Sequence, residues 1–119
     1  MLPRRALNNI ELEIFGKSHI DFFRGVFMRD ALPKKPWRRE CGIINLDSYR
    51  NNGSHWVAYY KNKKNIFYFD SFGNLSPPLE VLKYLGYNIQ YNYNQVQDFN
   101  TFNCGHLCIE FLLEMNKTN

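Results

Sequence analysis

The sequence predicts an α+β fold in a single small domain. Short aromatic and β-branched runs follow one another with only a few polar residues between them. That pattern predicts hairpin-connected strands, not the regular strand–helix alternation of an α/β protein. Apolar residues at helical spacing occur near both ends of the chain and once between the strands. A chain of 119 residues has room for one domain, which we expect to span residues 1–119.

The N-terminal part predicts a helix, an irregular segment and a strand. The run "RRALNNIELEIFGK" carries apolar residues at helical spacing, and Gly16 is its expected end. Residues 17–40 contain two prolines and many charges, so we expect a covering segment with little regular structure. "CGIINLD" (Cys41–Asp47) is short, apolar and closed by polar residues, which predicts a buried strand.

The central part predicts a hairpin followed by a helix. "HWVAYYK" and "NIFYFDSFG" are two aromatic runs separated by a short polar stretch, which is typical of a β-hairpin. "SPPLEVLKYLGYN" predicts a helix with Ser76 or a nearby residue as its cap, proline in its first turn and Gly86 at its end.

The C-terminal part predicts a strand, a polar loop and a last helix. The strand is expected in "YNIQYNY", and the loop runs from Asn94 to Asn103. The helix begins at about Cys104 and has an apolar side. The residues expected on that side are Leu107, Cys108, Phe111, Leu112 and Met115.

Charge permits an anionic partner without requiring one. The formal net charge is +4, and the basic residues gather in "LPRRA", "PKKPWRR" and "KNKK". Such runs attract nucleic acid or acidic proteins, although most short basic runs are solvated loops. Non-specific nucleic-acid binding is therefore one candidate property.

Cysteine content and hydropathy favour an intracellular protein. The three cysteines, Cys41, Cys104 and Cys108, cannot all pair with one another, and the start of the chain does not look like a secretory signal. The longest apolar runs fall short of the ~18–20 residues needed to cross a bilayer. We expect a soluble protein that is not secreted, does not bind membranes and is monomeric.

Cys104 is the candidate nucleophile. At the start of the last helix, free backbone N–H groups and the helix dipole would stabilise a thiolate. The alternative is a buried, inert cysteine, which is the commoner case.

Thiolate chemistry also needs a base, and His55 is preferred because it lies at the start of a predicted strand. His19 lies in the irregular segment, and His106 would point to another side of the helix.

Two further residues complete a candidate site. Antiparallel pairing brings Asp70, at the end of "FYFD", beside the start of "HWVAYY", where it could accept the Nδ1–H of His55. The alternative is an aspartate that merely opens a turn. Gln97, with Gln95 as a rival, lies in the loop before the last helix and could donate to an oxyanion.

The chain resembles the adenovirus-protease (adenain-like) branch of the cysteine proteases, a group that also includes SUMO- and ubiquitin-like-processing enzymes. The pieces that carry the resemblance are "GSHWVAYY", "FYFDSFG" and "QDFNTFNCGHLC", in the order His, acid, Gln, Cys. It extends upstream through "FRGVFMRDALP" and "CGIINLD", and so covers most of the chain from Phe22 onward.

The resemblance implies a fold and a set of roles. The fold is α+β, with the nucleophile's helix packed centrally on a mixed or antiparallel sheet. Cys104 would be the nucleophile, His55 the general base and acid, Asp70 the carboxylate that orients His55, and Gln97 the oxyanion donor. Trp56, beside the histidine, would border the substrate groove; the alternative is an aromatic residue that only packs in the hairpin.

Some details of the sequence depart from the adenoviral pattern or lie outside the site. Asp70 stands where adenain has a glutamate. Cys41 and Cys108 are expected to be structural. The chain ends about one turn after the last helix, so the long C-terminal part of the viral enzyme is expected to be missing.

The implied activity is that of a cysteine endopeptidase that cuts viral or transposon polyproteins or capsid precursors after small residues, often glycine. The chemistry needs no metal or cofactor, and an activating peptide or DNA cannot be transferred from the family. The expected location is the host cytoplasm or nucleus, or the virion. Two alternatives remain: a processing or deconjugating protease for ubiquitin-like proteins, and a non-catalytic basic relative that binds nucleic acid or capsid protein.

Overall fold

The computed structural model describes residues 2–46, 55–73, 76–92 and 103–118. Helices and hairpin-connected strands occur in one chain, as expected of an α+β fold. The elements in chain order are α1 (Asn9–His19), β1 (Phe23–Met28), β2 (Arg39–Asn45), β3 (Trp56–Asn62), β4 (Asn65–Phe69), α2 (Leu79–Leu85), β5 (Gln90–Tyr91) and α3 (Cys104–Thr118).

The described strands form one mixed sheet in the order β1-β2-β3-β4-β5. The two outer pairs, β1 with β2 and β4 with β5, are parallel. The inner pairs are antiparallel, and β3 with β4 is the predicted hairpin. The middle strand, β3, is therefore held by ladder hydrogen bonds on both sides, which makes it a rigid support for any residue at its end.

The prediction for residues 17–40 was wrong. Instead of an irregular segment, this part contains the last turn of α1 and all of β1. The charges that argued against a strand are accommodated, because Arg24 of β1 pairs with the buried carboxylate of Glu40 at 2.9 Å. Pro33 and Pro36 lie beyond the end of the strand, where they do not interrupt its ladder.

Gly16 does not end α1, which continues to His19. Its role is close packing, because a Cβ built at this position would lie 2.4 Å from the ring of Phe23. The helix begins with a capping box, in which Asn8 and Glu11 each accept a hydrogen bond from the other's backbone N–H.

Helix α2 ends as predicted but begins differently. Gly86 has a φ of 110°, a left-handed conformation that favours glycine, and its N–H donates to Leu82 O. At the start of α2 the N-cap is Pro78, with no side-chain capping bond, so Ser76 is not the cap.

Two apolar layers cover the two faces of the sheet. One face packs against α1 and α3, and the other packs against α2. Helix α3 lies on the central strand β3. Its buried residues are Cys104, Gly105, Cys108, Ile109 and Leu112, whereas Leu107, Phe111 and Met115 of the predicted side are only half-buried.

In the described part of the chain, none of the helices is both long enough and apolar enough to cross a membrane.

Candidate active site

Two neighbouring strand ends place His55 beside Asp70. Residue Ala58 of β3 faces Phe69 of β4, so the residue before β3 and the residue after β4 meet at the same end of the hairpin. His55 Nε2 lies 2.7 Å from Asp70 Oδ1. The carboxyl group is buried at 1% exposure, and the imidazole retains 16%.

The ring nitrogen that faces Asp70 is Nε2, not Nδ1 as predicted. The main chain of His55 is held in place, because Leu46 N–H donates a hydrogen bond to His55 O at 3.0 Å. The other ring nitrogen, Nδ1, is buried. The sequence could place the two side chains together, but it could not choose between the two nitrogens, since that depends on the rotation of the ring.

The turn after Asp70 holds its carboxylate in place. Asp70 Oδ1 also accepts the N–H of Phe72 at 3.0 Å, and Gly73 N–H donates to Asp70 O at 2.9 Å. These bonds form an aspartate turn of the kind in which a side chain hydrogen-bonds the backbone two residues on. Asp70 therefore opens a turn and faces the histidine at the same time, so the two interpretations of its role are compatible.

Phe72 covers one face of the His55 ring. The two ring centroids are 4.2 Å apart and the planes are nearly parallel, at 4°. Phe72 was not among the predicted site residues, although it lies in the "DSFG" stretch that begins with Asp70. A side chain that stacks on the imidazole limits its rotation and excludes water from that face.

The thiol of Cys104 lies at the start of α3, as predicted. The residue is buried, with 4% exposure, and Trp56 N–H donates to its Sγ at 3.4 Å. This contact joins the first residue of α3, Cys104, directly to the first residue of β3, Trp56. The indole of Trp56 is fixed separately, since its Nε1–H donates to Leu7 O at 3.1 Å.

The electrostatic surroundings favour a protonated His55. Burial of the ring lowers the pKa of His55, but the hydrogen bond and charge of Asp70, with those of Cys104, raise that pKa to about 9. An imidazolium between a carboxylate and a sulfur can hold a proton and later release it to a leaving group.

A cavity of about 450 Å³ adjoins Trp56 on the same side of the sheet as α3. One wall is the segment before α1, and the other is formed by the ends of β1 and β2. Its lining residues are Arg5, Ala6, Leu7, Asn8, Asn9, Met28, Asn45 and Trp56. The cavity borders Trp56, whose N–H contacts Cys104, and it is large enough to hold part of a peptide.

No protein-family profile matches the chain, but a curated protein and two solved structures are similar to it. A protease of bovine adenovirus 2 is 28% identical over 107 residues, which cover 76% of this chain and 49% of that protein. The chain therefore spans about half the length of this curated relative. Two structures of the SUMO protease Ulp1, with its catalytic cysteine oxidised to a sulfinic or a sulfonic acid, superpose with TM-scores of 0.56. They are 20% and 19% identical, and the superposition covers 97% of this chain and 68% and 69% of theirs.

The predicted resemblance to adenain-like and Ulp-like cysteine proteases is confirmed. The predicted α+β fold class is confirmed as well, because the Ulp1 superposition covers nearly all of the chain.

The other two histidines of the chain lie outside this site. His19 is the last residue of α1 and not part of an irregular segment, and its ring stacks on Phe15. His106 points away from Cys104, as predicted, and its Nε2 lies 2.7 Å from Pro3 O. Gln97 and its rival Gln95 fall outside the described residues, so the oxyanion assignment stays a prediction.

The two remaining cysteines are buried and free. Burial raises the pKa of Cys41 to about 12, and it raises the pKa of Cys108 well above its ordinary value. Both thiols are therefore poor nucleophiles at neutral pH, as expected of structural cysteines. Among the described residues, no group of three His, Cys, Asp or Glu side chains could hold a metal ion.

Proposed function

We propose that this chain is a cysteine endopeptidase with Cys104 as nucleophile, His55 as general base and acid, and Asp70 as the carboxylate that orients His55. The observation that carries the proposal is the 2.7 Å contact between His55 and Asp70 beside the buried thiol of Cys104. These are the roles that a thiol-dependent acyl transfer requires.

The reaction would proceed in two stages. The Cys104 sulfur, its proton held by His55, adds to the peptide carbonyl carbon, and the C–N bond breaks as His55 gives that proton to the leaving amine. Water then attacks the thioester while His55 takes its proton, which releases the acid and restores the thiol. With Nε2 occupied by Asp70, Nδ1 is the ring nitrogen that would exchange the proton.

The oxyanion would be held by main-chain N–H groups at the start of α3 together with the side chain of Gln97. The first N–H groups of any helix have no intrahelical partner, and they point toward the position that the carbonyl oxygen would occupy. Gln97 precedes Cys104 in the sequence and lies outside the described residues, so its role rests on the family resemblance.

The substrate would be a viral or transposon polyprotein, or a capsid precursor, cut after small residues such as glycine. The similarity to an adenovirus protease supports a viral substrate. The cavity beside Trp56, which is lined in part by asparagines, could take part of an extended peptide. The proposed thiol chemistry uses no metal or cofactor. The resemblance to the family does not imply that an activating peptide or DNA is needed. The protein would act inside the host cell or the virion.

A processing protease for ubiquitin-like proteins is the second candidate. It is favoured by the superposition with Ulp1, a SUMO protease, over nearly all of this chain. Incubation with ubiquitin-like precursors and with short Gly-Gly capsid-type peptides separates the two. Cleavage of the peptides alone supports the viral substrate, and cleavage of the precursors alone overturns it.

A non-catalytic binder of nucleic acid or capsid protein is the third candidate. It is favoured by exposed basic residues at the end of the sheet opposite the site, among them Arg38, Lys63 and Lys64, beside the half-exposed indole of Trp37. Replacing Lys63 and Lys64 with glutamate should weaken nucleic-acid binding without changing the reactivity of Cys104. If that variant binds nucleic acid as strongly as the unmodified chain does, this surface is not the nucleic-acid-binding site.

Selective labelling tests the proposed function directly. Iodoacetamide at neutral pH should modify Cys104 much faster than Cys41 or Cys108, and mass spectrometry of peptides identifies the modified residue. His55→Ala should lower the Cys104 rate, whereas His19→Ala, in a histidine outside the site, should not. Equal rates at the three thiols, or a His55→Ala rate equal to that of the unmodified chain, would contradict the assignment.

A further inference from the structure

The side chain of Asn92 binds both main-chain polar groups of Asp70. Asp70 N–H donates to Asn92 Oδ1 at 2.9 Å, and Asn92 Nδ2 donates to Asp70 O at 2.7 Å. Both bonds have normal lengths and together fix the amide plane of the asparagine.

The position of Asn92 follows from the short strand β5. Its two residues, Gln90 and Tyr91, pair in parallel with Phe67 and Tyr68 of β4. Asn92 comes next in the chain, just where Asp70 has left the β4 ladder. The amide therefore supplies the main chain of Asp70 with the two hydrogen bonds that a continuing strand would have supplied.

Main-chain placement decides where the carboxylate lies, because aspartate has a short side chain. A glutamate could correct a displaced backbone by rotating an extra bond, whereas Asp70 cannot. A shift of roughly 1 Å is enough to break a short hydrogen bond and to misplace a catalytic group. The 2.7 Å distance between Asp70 Oδ1 and His55 Nε2 thus depends on how firmly the backbone of Asp70 is held.

We propose that Asn92 is a positioning residue, whose amide clamps the Asp70 backbone and so holds its carboxylate against His55. The inference rests on the proposed function and adds to it a residue that acts through Asp70.

Asn92→Ala tests the clamp, with Gln90→Ala as the matched control in the same short strand. Gln90 is exposed. For Asn92→Ala we expect kcat to fall on the order of tenfold with KM nearly unchanged, since the loss affects the chemical step and not peptide binding. An unchanged kcat would overturn the proposal.

The titration of His55 is a readout that a loss of packing alone would not move. Among the described residues, the titratable groups that act on His55 are Asp70 and Cys104, and Phe72 stacks on its ring. Asn92→Ala should lower the pKa of His55 by on the order of one unit, because a displaced carboxylate stabilises the imidazolium less. The chain has only three histidines, so NMR can follow each ring.

Asn92→Asp separates the clamp from simple space filling. The two side chains have nearly the same shape, but a carboxylate oxygen in place of Nδ2 cannot donate to Asp70 O. We expect a loss of kcat as large as that of Asn92→Ala. Wild-type kcat in Asn92→Asp would overturn the proposal, and this variant serves if the alanine variant does not fold.

The failures of the two proposals are distinguishable. If His55→Ala leaves Cys104 labelling unchanged, the proposed function fails. If His55→Ala slows labelling while Asn92→Ala leaves both the His55 titration and kcat unchanged, only the role of Asn92 fails.

Discussion

The ring of His55 lies between a carboxylate and a thiol, and both change how firmly it holds a proton. Asp70 is buried and close enough for a short hydrogen bond, while Phe72 covers one face of the ring. Phe72, two residues after Asp70, thus donates its N–H to the carboxylate and also covers the ring. Two of these residues were predictable, since hairpin pairing brings His55 and Asp70 together; Phe72 was not, because its orientation depends on the turn.

Removing the carboxylate should be more damaging than neutralising it. Asp70→Ala leaves His55 Nε2 without its acceptor, and we expect the rate of Cys104 alkylation to fall about 10²-fold at neutral pH. Asp70→Asn should lose less, because an amide oxygen still accepts a hydrogen bond. Alkylation kinetics check this, with Asp30→Asn, at an exposed position, as the control. Equal rates for Asp70→Ala and the unmodified chain would refute it.

Stability should fall as the pH rises from about 6.5 to 9. The folded-state pKa of His55 is raised from 6.5 to about 9, so between these values the folded chain keeps a proton that the unfolded chain has lost. The contribution is fully present below pH 6.5 and is lost through pH 9, with a slope of at most about 1.4 kcal/mol per pH unit.

Urea unfolding at several pH values between 6.5 and 8.5 measures this slope. Glutamine does not titrate in this range. His55→Gln should therefore reduce the slope of the free energy of unfolding against pH, by at most the amount that one bound proton contributes. A slope that is identical in the two proteins would show that His55 does not bind its proton more tightly in the folded state.

At the scale of single elements, α1 and β1 are joined by close packing between Gly16 and Phe23. Gly16 allows the ring of Phe23 to lie directly on the helix, which fixes the helix against the edge strand of the sheet. Glu13 adds a second link, since its carboxylate accepts the N–H of Val26 in β1 at 3.2 Å. Gly16, which was predicted to end α1, therefore lies within the helix and allows it to pack closely against Phe23.

Gly16→Ala should therefore destabilise the chain although alanine is the better helix former. The added methyl would overlap the Phe23 ring, at a cost of about 1–3 kcal/mol, against a gain of at most about 1 kcal/mol from helix propensity. Chemical unfolding measures the balance. Ser18→Ala, at an exposed position of the same helix, is the control and should be nearly neutral. A more stable Gly16→Ala would show that the ring moves aside at little cost.

Elements with strong local patterns were predictable, and those fixed by distant contacts were not. The hairpin and α3 follow from aromatic alternation and from an apolar helical face. Strand β1 was missed because its charged residue Arg24 is neutralised by Glu40, which is far away in sequence. Asn92 was missed for the same reason, since nothing near it in the sequence reveals its hydrogen bonds to Asp70.

At the scale of the whole molecule, a buried carboxylate joins the sheet to α2 and to the segment before β2. Glu40 is fully buried and accepts hydrogen bonds from Arg24, the hydroxyl groups of Tyr59 and Tyr84, and the N–H of Trp37. This network lies at the opposite end of β2 from the site. It therefore contributes to stability and not to the proposed chemistry.

Glu40→Gln should destabilise the fold strongly, because it leaves the half-buried Arg24 without its counter-charge. A loss of about 3–5 kcal/mol is typical when one partner of a buried pair is removed. Glu80→Gln, which disrupts the exposed 3.9 Å pair with Arg29, is the control and should cost less than about 1 kcal/mol. Similar losses for the two variants, measured by urea unfolding, would contradict the role of Glu40.

The order of the elements along the chain sets when the site can first exist. His55 and Asp70 belong to a hairpin in the middle of the chain, whereas the thiol lies at the start of α3, the last described element. During synthesis the hairpin leaves the ribosome first, and it lacks the proposed nucleophile, Cys104, until α3 emerges and packs on β3. A nascent chain would thus carry no assembled thiol site, so self-cleavage or cleavage of neighbouring chains would have to wait for completed folding.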